Sequence, residues 1–392
     1  MISVDEALAR VFALTDPLPT ESVALAQAAG RVLRTPVRAD RDQPPFASSA
    51  MDGYAVAGEV MSGNQYTVIG DAAAGHMFTG QVGPGQAVRI FTGAPVPDGA
   101  TQVVIQEDVA RDGDTITLQD NLTNGPHIRP RGQDFRAGDQ ISAPRRLRGV
   151  DLSLIAAMNH AEVTVSRRPD VAIIATGDEL VMPGEHPRED QIIASNAFAL
   201  KAMAEAEGAA ARILPIARDT EASLRTVFDL AQGADMIVTI GGASVGDHDL
   251  VGPVADSLGA KRAFYKVALR PGKPLMAGRL GQAMLLGLPG NPVSSIVCGH
   301  LFMRPALRAM QGLGRYPLPT ASAALACDLP ANGPRAHYMR ATLGPGGTID
   351  PVASQDSALL SLMAEANALL VRPANDPARK AGEQMRYIAL DL

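Results

Sequence analysis

Cysteine is almost absent from this sequence. Only Cys298 and Cys327 occur among 392 residues, and neither stands in a CxxC or Cys/His pattern. A disulfide framework or a structural zinc site is therefore not expected. We expect both cysteines to be buried apolar residues.

Long apolar runs and blocks of basic residues are also missing. No apolar run approaches the roughly 20 residues that cross a bilayer, and the formal net charge is −6. Neither a membrane nor a nucleic acid is therefore an expected partner. Aromatic residues make up only 4% of the chain, whereas 38 glycines and 29 prolines predict many tight turns. Turns are places where backbone amides can face a ligand.

The N-terminal segment MISVDEALARVFAL lacks the basic, apolar and small-residue regions of a signal peptide. The cytoplasm is therefore the expected location. The segment is instead typical of a capped amphipathic helix. Ser3 and Glu6 have the spacing of a capping box, and Leu8, Val11 and Leu14 share one helical face.

The length of the chain predicts two to four domains. Residues 1–42 have a helical pattern, and residues 141–168 combine a helix with a strand; we expect these two segments to pack together. Short β-runs separated by Gly and Pro predict an inserted β-rich module over 43–140. An α/β domain is expected over 169–317 and a small terminal β domain over 318–392. The predicted fold class is thus multidomain, α/β and β.

Apolar strand patterns alternate with helical patterns in the expected α/β domain. The runs at 170–176, 211–217 and 234–242 predict buried strands, while helices are expected after Asn196 and Thr220. This alternation predicts a doubly wound parallel sheet covered on both faces.

The last helix of this domain follows the sequence GLPGNP. Asn291 is a natural N-cap, and Pro292 suits the first helical position. We expect Pro305 to kink or end this helix.

Four loops of unusual composition follow the predicted strands, where open α/β sheets bind their ligands. They read TGDEL (176–180), GGASVGDHD (241–249), RPGKP (270–274, after the apolar run FYKVAL) and LPGNPVSS (288–295). Glycine amides and a helix start with unpaired N–H groups can hold an anion, and Arg270 and Lys273 add charge. Acidic side chains can hold Mg²⁺; the candidates are Asp178, Glu179, Asp219, Asp247 and Asp249. Each loop alone is compatible with an ordinary turn, but together they predict a phosphate-bearing substrate with a divalent metal.

These four motifs, in this order, resemble the molybdopterin-binding domain shared by MoaB/MogA-type adenylyltransferases and MoeA-type enzymes. The flanking motifs resemble the MoeA family specifically. They are PPFASSAMDGYAV (44–56), FTGAPVPDGATQVVIQED (91–108), IRPRGQDFRAGD (128–139) and SQDSALLSLMAEANALLVRP (354–373). The resemblance covers essentially the whole chain. It implies a central molybdopterin-binding α/β domain, an inserted β-rich module, a helical N-terminal segment and a small C-terminal β-barrel.

The resemblance also implies an activity and its partners. Enzymes of this family insert molybdate into adenylylated molybdopterin, with release of AMP, and their cofactor is Mg²⁺. They are homodimers in which the SAMDGYAV region reaches the partner's cleft. The upstream adenylyltransferase is a further possible partner. A molybdopterin molybdenumtransferase is therefore the expected function.

Site residues follow from the same resemblance, position by position. The substrate-binding residues would be Gly241, Gly242, Ser244, Gly246, Arg270, Pro289, Gly290, Asn291 and Pro292. The catalytic residues would be Asp52, Thr92, Glu179, Asp219, Asp249 and Lys273, with Asp219 and Asp249 near Mg²⁺ and Asp178 close by. Asp52 and Thr92 would complete the site from the partner subunit, although both also fit ordinary β-turn chemistry.

For molybdate, the candidate binding residues are Lys273, Arg335, Arg340 and Ser357, because a tetrahedral dianion needs convergent N–H and O–H donors. The odd spacing between Arg335 and Arg340 places them on opposite faces of an extended strand, so both need not touch one ligand. The tail departs from the family pattern: Asp356 replaces a frequent glycine and Leu359 a methionine. Asp356 puts a negative charge beside the expected oxyanion site.

Two other functions compete with this prediction. A molybdopterin adenylyltransferase shares the core motifs but needs only the α/β domain. A non-catalytic scaffold protein is the second alternative, because a related domain clusters receptors in animals. Whether molybdate or tungstate is preferred stays open.

Overall fold

The computed structural model describes residues 1–242 and 250–390. Helix α1 (Val4–Ala13) begins with the predicted capping box, since the Ser3 side chain accepts from the Glu6 amide and Glu6 accepts from the Ser3 amide. The prediction of helix throughout 1–42 is wrong beyond residue 14. This stretch forms short strands, β1 (Thr20–Ala24), β2 (Val32–Leu33) and β3 (Val37–Arg38). Gly30, at φ +72°, turns the chain before β2.

The inserted module is β-rich, as predicted. Its strands are β4 (Ser48–Ser49), β5 (Gly53–Val56), β6 (Gln65–Ala72), β7 (Gln86–Ile90), β8 (Gln102–Ile105), β9 (Val109–Asp112), β10 (Thr115–Leu118) and β11 (Ile128–Arg129). Six of them form one sheet in the order β8-β5-β7-β6-β10-β9. Each face of this sheet packs its own apolar cluster, one around Val104 and Ile116 and the other around Val88 and Val103.

The chain then returns to pair with its own N-terminal part. The returning elements are β12 (Gln140–Ile141), β13 (Arg145–Arg146), α2 (Gly149–Ala157) and β14 (Glu162–Ser166). Strand β14 pairs with β1 in a sheet of order β1-β14-β2-β13. Helix α1 does not join this unit, because Leu8, Val11 and Phe12 pack into the core of the α/β domain.

The α/β domain contains a mixed sheet. Its elements are β15 (Asp170–Ala175), β16 (Leu180–Val181), β17 (Ile192–Ile193), α3 (Asn196–Ala206), β18 (Ala210–Ile213), α4 (Glu221–Leu230), β19 (Met236–Ile240), α5 (Val251–Ser257), β20 (Lys261–Tyr265), β21 (Leu269–Arg270), β22 (Met276–Leu280), β23 (Ala283–Leu288) and α6 (Pro292–Cys298). The main sheet has the order β18-β15-β19-β23-β22-β20. The first four strands are parallel, as predicted, but β22 pairs antiparallel with β23, and β20 in turn pairs antiparallel with β22. Apolar clusters cover both faces.

The helix that starts at Pro292 is longer than predicted. A π-helical turn (Gly299–Met303) follows α6, and helix α7 (Arg304–Met310) continues beyond it. Pro305 therefore does not end the helix, because the wider turn directly before it accommodates the missing N–H group. At Gly299 an added Cβ would lie 2.7 Å from Leu200 Cδ2, so glycine allows α3 to pack closely here.

The terminal domain is the predicted β-barrel. Its elements are β24 (Ala321–Leu325), β25 (Ala336–Leu343), β26 (Thr348–Pro351), α8 (Leu360–Glu365), β27 (Ala368–Arg372) and β28 (Gln384–Ala389). The pairing of β25 with β27 closes the five strands into a ring, and β21 adds to β25 from outside. In the described residues no helix is long and apolar enough to cross a membrane.

One buried carboxylate joins the first domain to the α/β domain. Glu207 is 2% exposed and pairs with Arg146 at 3.0 Å, Arg304 at 2.7 Å and Arg308 at 3.0 Å. Arg146 comes from β13, whereas the other two arginines lie on α7.

The two cysteines differ in environment. Cys298 is buried as predicted, and burial raises the pKa of its thiol. Cys327 is exposed, because it lies directly after β24, and its predicted burial is therefore wrong.

Candidate active site

A cleft of about 720 Å³ opens at the carboxyl ends of β15, β19 and β23. Its floor consists of the residues that end these strands, including Thr176, Ile240 and Pro289, and one wall is formed by residues 192–197. Clefts of this size hold ligands of the dimensions of a nucleotide. The position matches the ligand sites of open α/β sheets.

Two glycines bring the backbone close to the cleft. Gly241 and Gly242 have φ values of +88° and +60°, which L side chains rarely adopt. An added Cβ would lie 2.9 Å from the Thr176 carbonyl oxygen at position 241 and 2.3 Å from Val251 Cγ2 at position 242. Both positions therefore require glycine. The rest of this loop, with Ser244, Gly246, Asp247 and Asp249, lies outside the described residues.

The TGDEL loop is held by hydrogen bonds from Arg218 and Asp219, which follow β18 in the chain. Arg218 Nη1 donates to the carbonyl oxygens of Asp178 and Leu180, at 3.0 Å each, and Asp178 Oδ1 accepts from the Asp219 amide at 3.1 Å. Asp178 thus organises the loop, whereas Glu179 and Asp219 line the cleft.

The carboxylates of Glu179 and Asp219 are compatible with a divalent cation. Neither accepts a hydrogen bond or forms an ion pair within residues 1–242 and 250–390, and hard oxygen donors are what Mg²⁺ prefers. Within those same residues, however, no group of three or more acidic, His or Cys side chains is close enough to hold a metal. Asp249, the expected second ligand beside Asp219, is not among them.

The start of α6 also faces the cleft, through Pro289, Gly290, Asn291 and Pro292. Pro292 occupies the predicted first helical position, but the Asn291 side chain does not cap the helix. Its Nδ2 instead donates to Ser357 Oγ of the terminal domain at 3.0 Å. One of the amides at this helix start is paired, since the Val293 amide donates to the Ser357 carbonyl oxygen at 3.1 Å.

The RPGKP loop reaches the cleft by a different route from the one predicted. Only the first two residues of the run FYKVAL belong to the edge strand β20; the chain then leaves the sheet, and Leu269 and Arg270 pair with β25 of the barrel. Pro274 lines the cleft. The side chains of Arg270 and Lys273 are exposed and make no hydrogen bond or ion pair with the described part of the chain.

The two arginines proposed for molybdate have different environments. Arg335 is half-buried, and within the described residues its side chain makes one hydrogen bond, a long one of 3.5 Å from Nη1 to the Leu269 carbonyl oxygen. Arg340 is 1% exposed, and its Nη atoms donate to the carbonyl oxygens of Leu359, Ser354 and Asp356 at 2.8–2.9 Å. Three of the five N–H donors of Arg340 are therefore used inside the protein, and its binding of molybdate stays a prediction.

The carboxylate of Asp356 has a structural role beside the expected oxyanion site. Its Oδ1 accepts from the Ala358 amide at 3.0 Å, so the carboxylate stabilises the turn that carries Ser357.

His337 was missed by the sequence reasoning. In the barrel sheet it pairs with Arg270 on β21 and Arg372 on β27. His337 is 6% exposed, and its buried Nε2 has no hydrogen-bond partner in the part of the chain that the structure describes. Burial, followed by the charges of Arg270, Arg372, Arg335 and Arg340, lowers the pKa of His337 to about 4. A single histidine inside a strand carries no sequence signal that would have identified it.

Asp52 and Thr92 are together in the β module, not in the cleft. Asp52 is half-buried, and hydrogen bonds from the Thr92 amide and hydroxyl lower its pKa. Arg89 stacks between Tyr54 and Phe91, with its Cζ 5.0 and 4.8 Å from the two ring centroids. Neither Asp52 nor Thr92 is among the residues that line the cleft of the same chain.

Comparison with known proteins agrees with this architecture. Three family descriptions match in succession: "MoeA N-terminal region (domain I and II)" at residues 2–159, "Probable molybdopterin binding domain" at 172–309 and "MoeA C-terminal region (domain IV)" at 322–390. The chain is therefore a multidomain protein built around a molybdopterin-binding domain.

Relatives of similar length define the family. A molybdopterin molybdenumtransferase from Nostoc sp. is 33% identical, with 95% of this chain and 89% of that protein covered. Molybdopterin molybdenumtransferase 2 from Mycobacterium tuberculosis is 37% identical, with 93% and 94% covered. The crystal structure of the molybdopterin biosynthesis MoeA protein from Pyrococcus horikoshii OT3 has a TM-score of 0.85 at 26% identity over 100% of both chains. The chain belongs to the MoeA family.

Proposed function

We propose that this protein is a molybdopterin molybdenumtransferase, which inserts molybdate into adenylylated molybdopterin and releases AMP. The observation that carries the proposal is the glycine-lined cleft of about 720 Å³, one lining residue of which, Pro274, directly follows Lys273 in the RPGKP loop; the exposed side chains of Arg270 and Lys273 have no partner within residues 1–242 and 250–390. Such a cleft can bind the phosphates of the adenylylated pterin through backbone amides and balance their charge.

The oxyanion site lies where the RPGKP loop meets the terminal barrel. Lys273, Arg335 and Ser357 are its proposed binding residues, since each has a donor that is weakly used or unused within the described residues. Arg270, on the strand that pairs with β25 of the barrel, adds a further positive charge. The Nostoc and Mycobacterium relatives, which are named for molybdenum transfer, support the same assignment.

Magnesium is the proposed cofactor, with Asp219 and Glu179 as the described carboxylates that would contact the ion or its waters. Bound Mg²⁺ would neutralise phosphate charge. The protein is further proposed to act in the cytoplasm as a homodimer, with Asp52 and Thr92 completing the cleft of the partner subunit. An upstream adenylyltransferase would supply the substrate.

The test is to incubate the protein with adenylylated molybdopterin, Mg²⁺ and molybdate and to measure AMP by chromatography. Molybdate-dependent AMP release that EDTA abolishes is the expected result. An adenylyltransferase would instead consume ATP and free molybdopterin and release pyrophosphate. A scaffold would bind the pterin without releasing AMP.

A further inference from the structure

A short loop connects the two proposed subsites. Residues 354–359, here called the Ser357 loop, extend from the terminal barrel to the start of α6, where Ala358 lines the cleft. The loop is fastened at both ends, by different parts of the molecule.

Its barrel side is fixed by Arg340 and Gln355. The buried guanidinium of Arg340 donates to three carbonyl oxygens of the loop, and Gln355 Oε1 accepts from the Arg340 amide at 3.0 Å. Gln355 Nε2 donates to the Arg340 carbonyl oxygen at 3.0 Å. None of these bonds uses the side chain of Ser357.

Its cleft side is fixed by the start of α6. Ser357 accepts twice there, through its carbonyl oxygen from the Val293 amide and through Oγ from Asn291 Nδ2. An amide nitrogen is only a donor, so Ser357 Oγ must be the acceptor in the second bond. The hydroxyl hydrogen therefore points away from Asn291, and it has no acceptor among the described residues.

We propose that Asn291 is a positioning residue, which holds the Ser357 hydroxyl so that its hydrogen is donated to the bound oxyanion. This inference rests on the proposed function, because it takes Ser357 as part of the oxyanion site. Asn291 also lines the nucleotide–pterin cleft, so one side chain connects the two substrates. The fixed hydroxyl lowers the entropy lost when the oxyanion binds.

The experiment is a double-mutant cycle on molybdate binding, measured by calorimetry with molybdate alone. Asn291→Ala and Ser357→Ala should each weaken binding, Ser357→Ala by about tenfold or more because a hydrogen bond to a charged group is lost. In the Ser357→Ala background, Asn291→Ala should have no further effect, because the group that it positions is gone. Asn291→Asp should weaken binding further than Asn291→Ala, since a carboxylate accepts the hydroxyl hydrogen and repels the oxyanion.

Asn367→Ala is the matched control. Asn367 Oδ1 accepts from the Leu343 amide at 2.6 Å and its Nδ2 donates to the Leu343 carbonyl oxygen at 3.2 Å, so this variant disturbs the terminal barrel without touching Ser357 or the cleft. It should leave molybdate binding unchanged. Equal losses from Asn291→Ala in both backgrounds, or no loss in either, would overturn the inference. Failure of the wild-type protein to bind molybdate would instead count against the proposed function, and thermal unfolding verifies that each variant is folded.

Discussion

Thr92 donates both its backbone amide and its hydroxyl to one oxygen of Asp52, Oδ1, at 2.7 and 2.8 Å. The two residues are 40 positions apart. The second carboxylate oxygen receives no hydrogen bond from the described residues. A carboxylate held in this way has a fixed direction at the surface of the β module, which suits a role in a neighbouring subunit.

Complementation between subunits tests that role. An Asp52→Ala subunit mixed with an Asp219→Ala subunit should regain about a quarter of the wild-type activity, because half of the dimers are mixed and each contains one intact site. The measurement is AMP release after subunit exchange, with differently tagged chains to verify mixed dimers. Verified mixed dimers without activity would show that both residues act within one chain.

Charge removal should separate the two substrates. Arg335→Ala should raise the molybdate concentration for half-maximal activity by about 10- to 150-fold, the effect of one lost charge-assisted hydrogen bond. It should leave binding of the adenylylated pterin nearly unchanged, whereas Lys273→Ala should weaken both. Arg386→Ala, an exposed arginine of the same barrel, is the control. Equal losses of pterin affinity in Arg335→Ala and Lys273→Ala would contradict a separate oxyanion site.

The requirement for glycine at position 242 can be tested with a pair of matched substitutions. Gly242 and Gly281 both have φ +60°, but only at Gly242 would an added Cβ meet a neighbour, Val251 Cγ2 at 2.3 Å. Gly281→Ala should cost about 1 kcal/mol of unfolding free energy through backbone strain. Gly242→Ala should cost a further 1–3 kcal/mol, roughly, from overpacking, and it should weaken pterin binding. Urea unfolding gives the two free energies. Equal costs would mean that the structure around Gly242 shifts to accommodate the added Cβ.

His337 should make stability depend on pH. Because its folded pKa of about 4 is below the ordinary value of 6.5, the unfolded chain binds more protons between these values. Stability should therefore be complete above pH 6.5 and fall as the pH decreases toward 4. Between pH 7.5 and 5 the loss from this residue should be about 2 kcal/mol. His337→Gln should remove that part of the slope in urea unfolding, and parallel slopes for the two proteins would refute the prediction.

Strands are predicted best from the sequence where the sheet that contains them is completely buried. Strands β15 and β19 are continuously apolar because both faces of the sheet are covered, and this pattern is readable without a structure. The same reasoning misleads at FYKVAL. Its apolar residues pack against α1 and the barrel as well as the sheet, so a single run contributes to two sheets.

Short elements and side-chain direction are harder to predict. Strands β2 and β3 have two residues each, too few to show a period. For Arg335 and Arg340, the odd spacing does not say that Arg340 is buried whereas Arg335 is only half-buried. The contact between Asn291 and Ser357 joins positions 66 residues apart in different domains, and no local pattern encodes it.

The ion cluster at Glu207 has a mechanical consequence. Separating the first domain from α7 would remove Arg146 from the buried carboxylate of Glu207, while Arg304 and Arg308 would stay paired with it. These ion pairs therefore join the first domain to α7, which continues from α6 through the π-helical turn. The terminal barrel contacts the start of the same helical segment through the two hydrogen bonds to Ser357. The helical segment 292–310 thus links three domains, with the proposed oxyanion site at one end and the ion cluster toward the other.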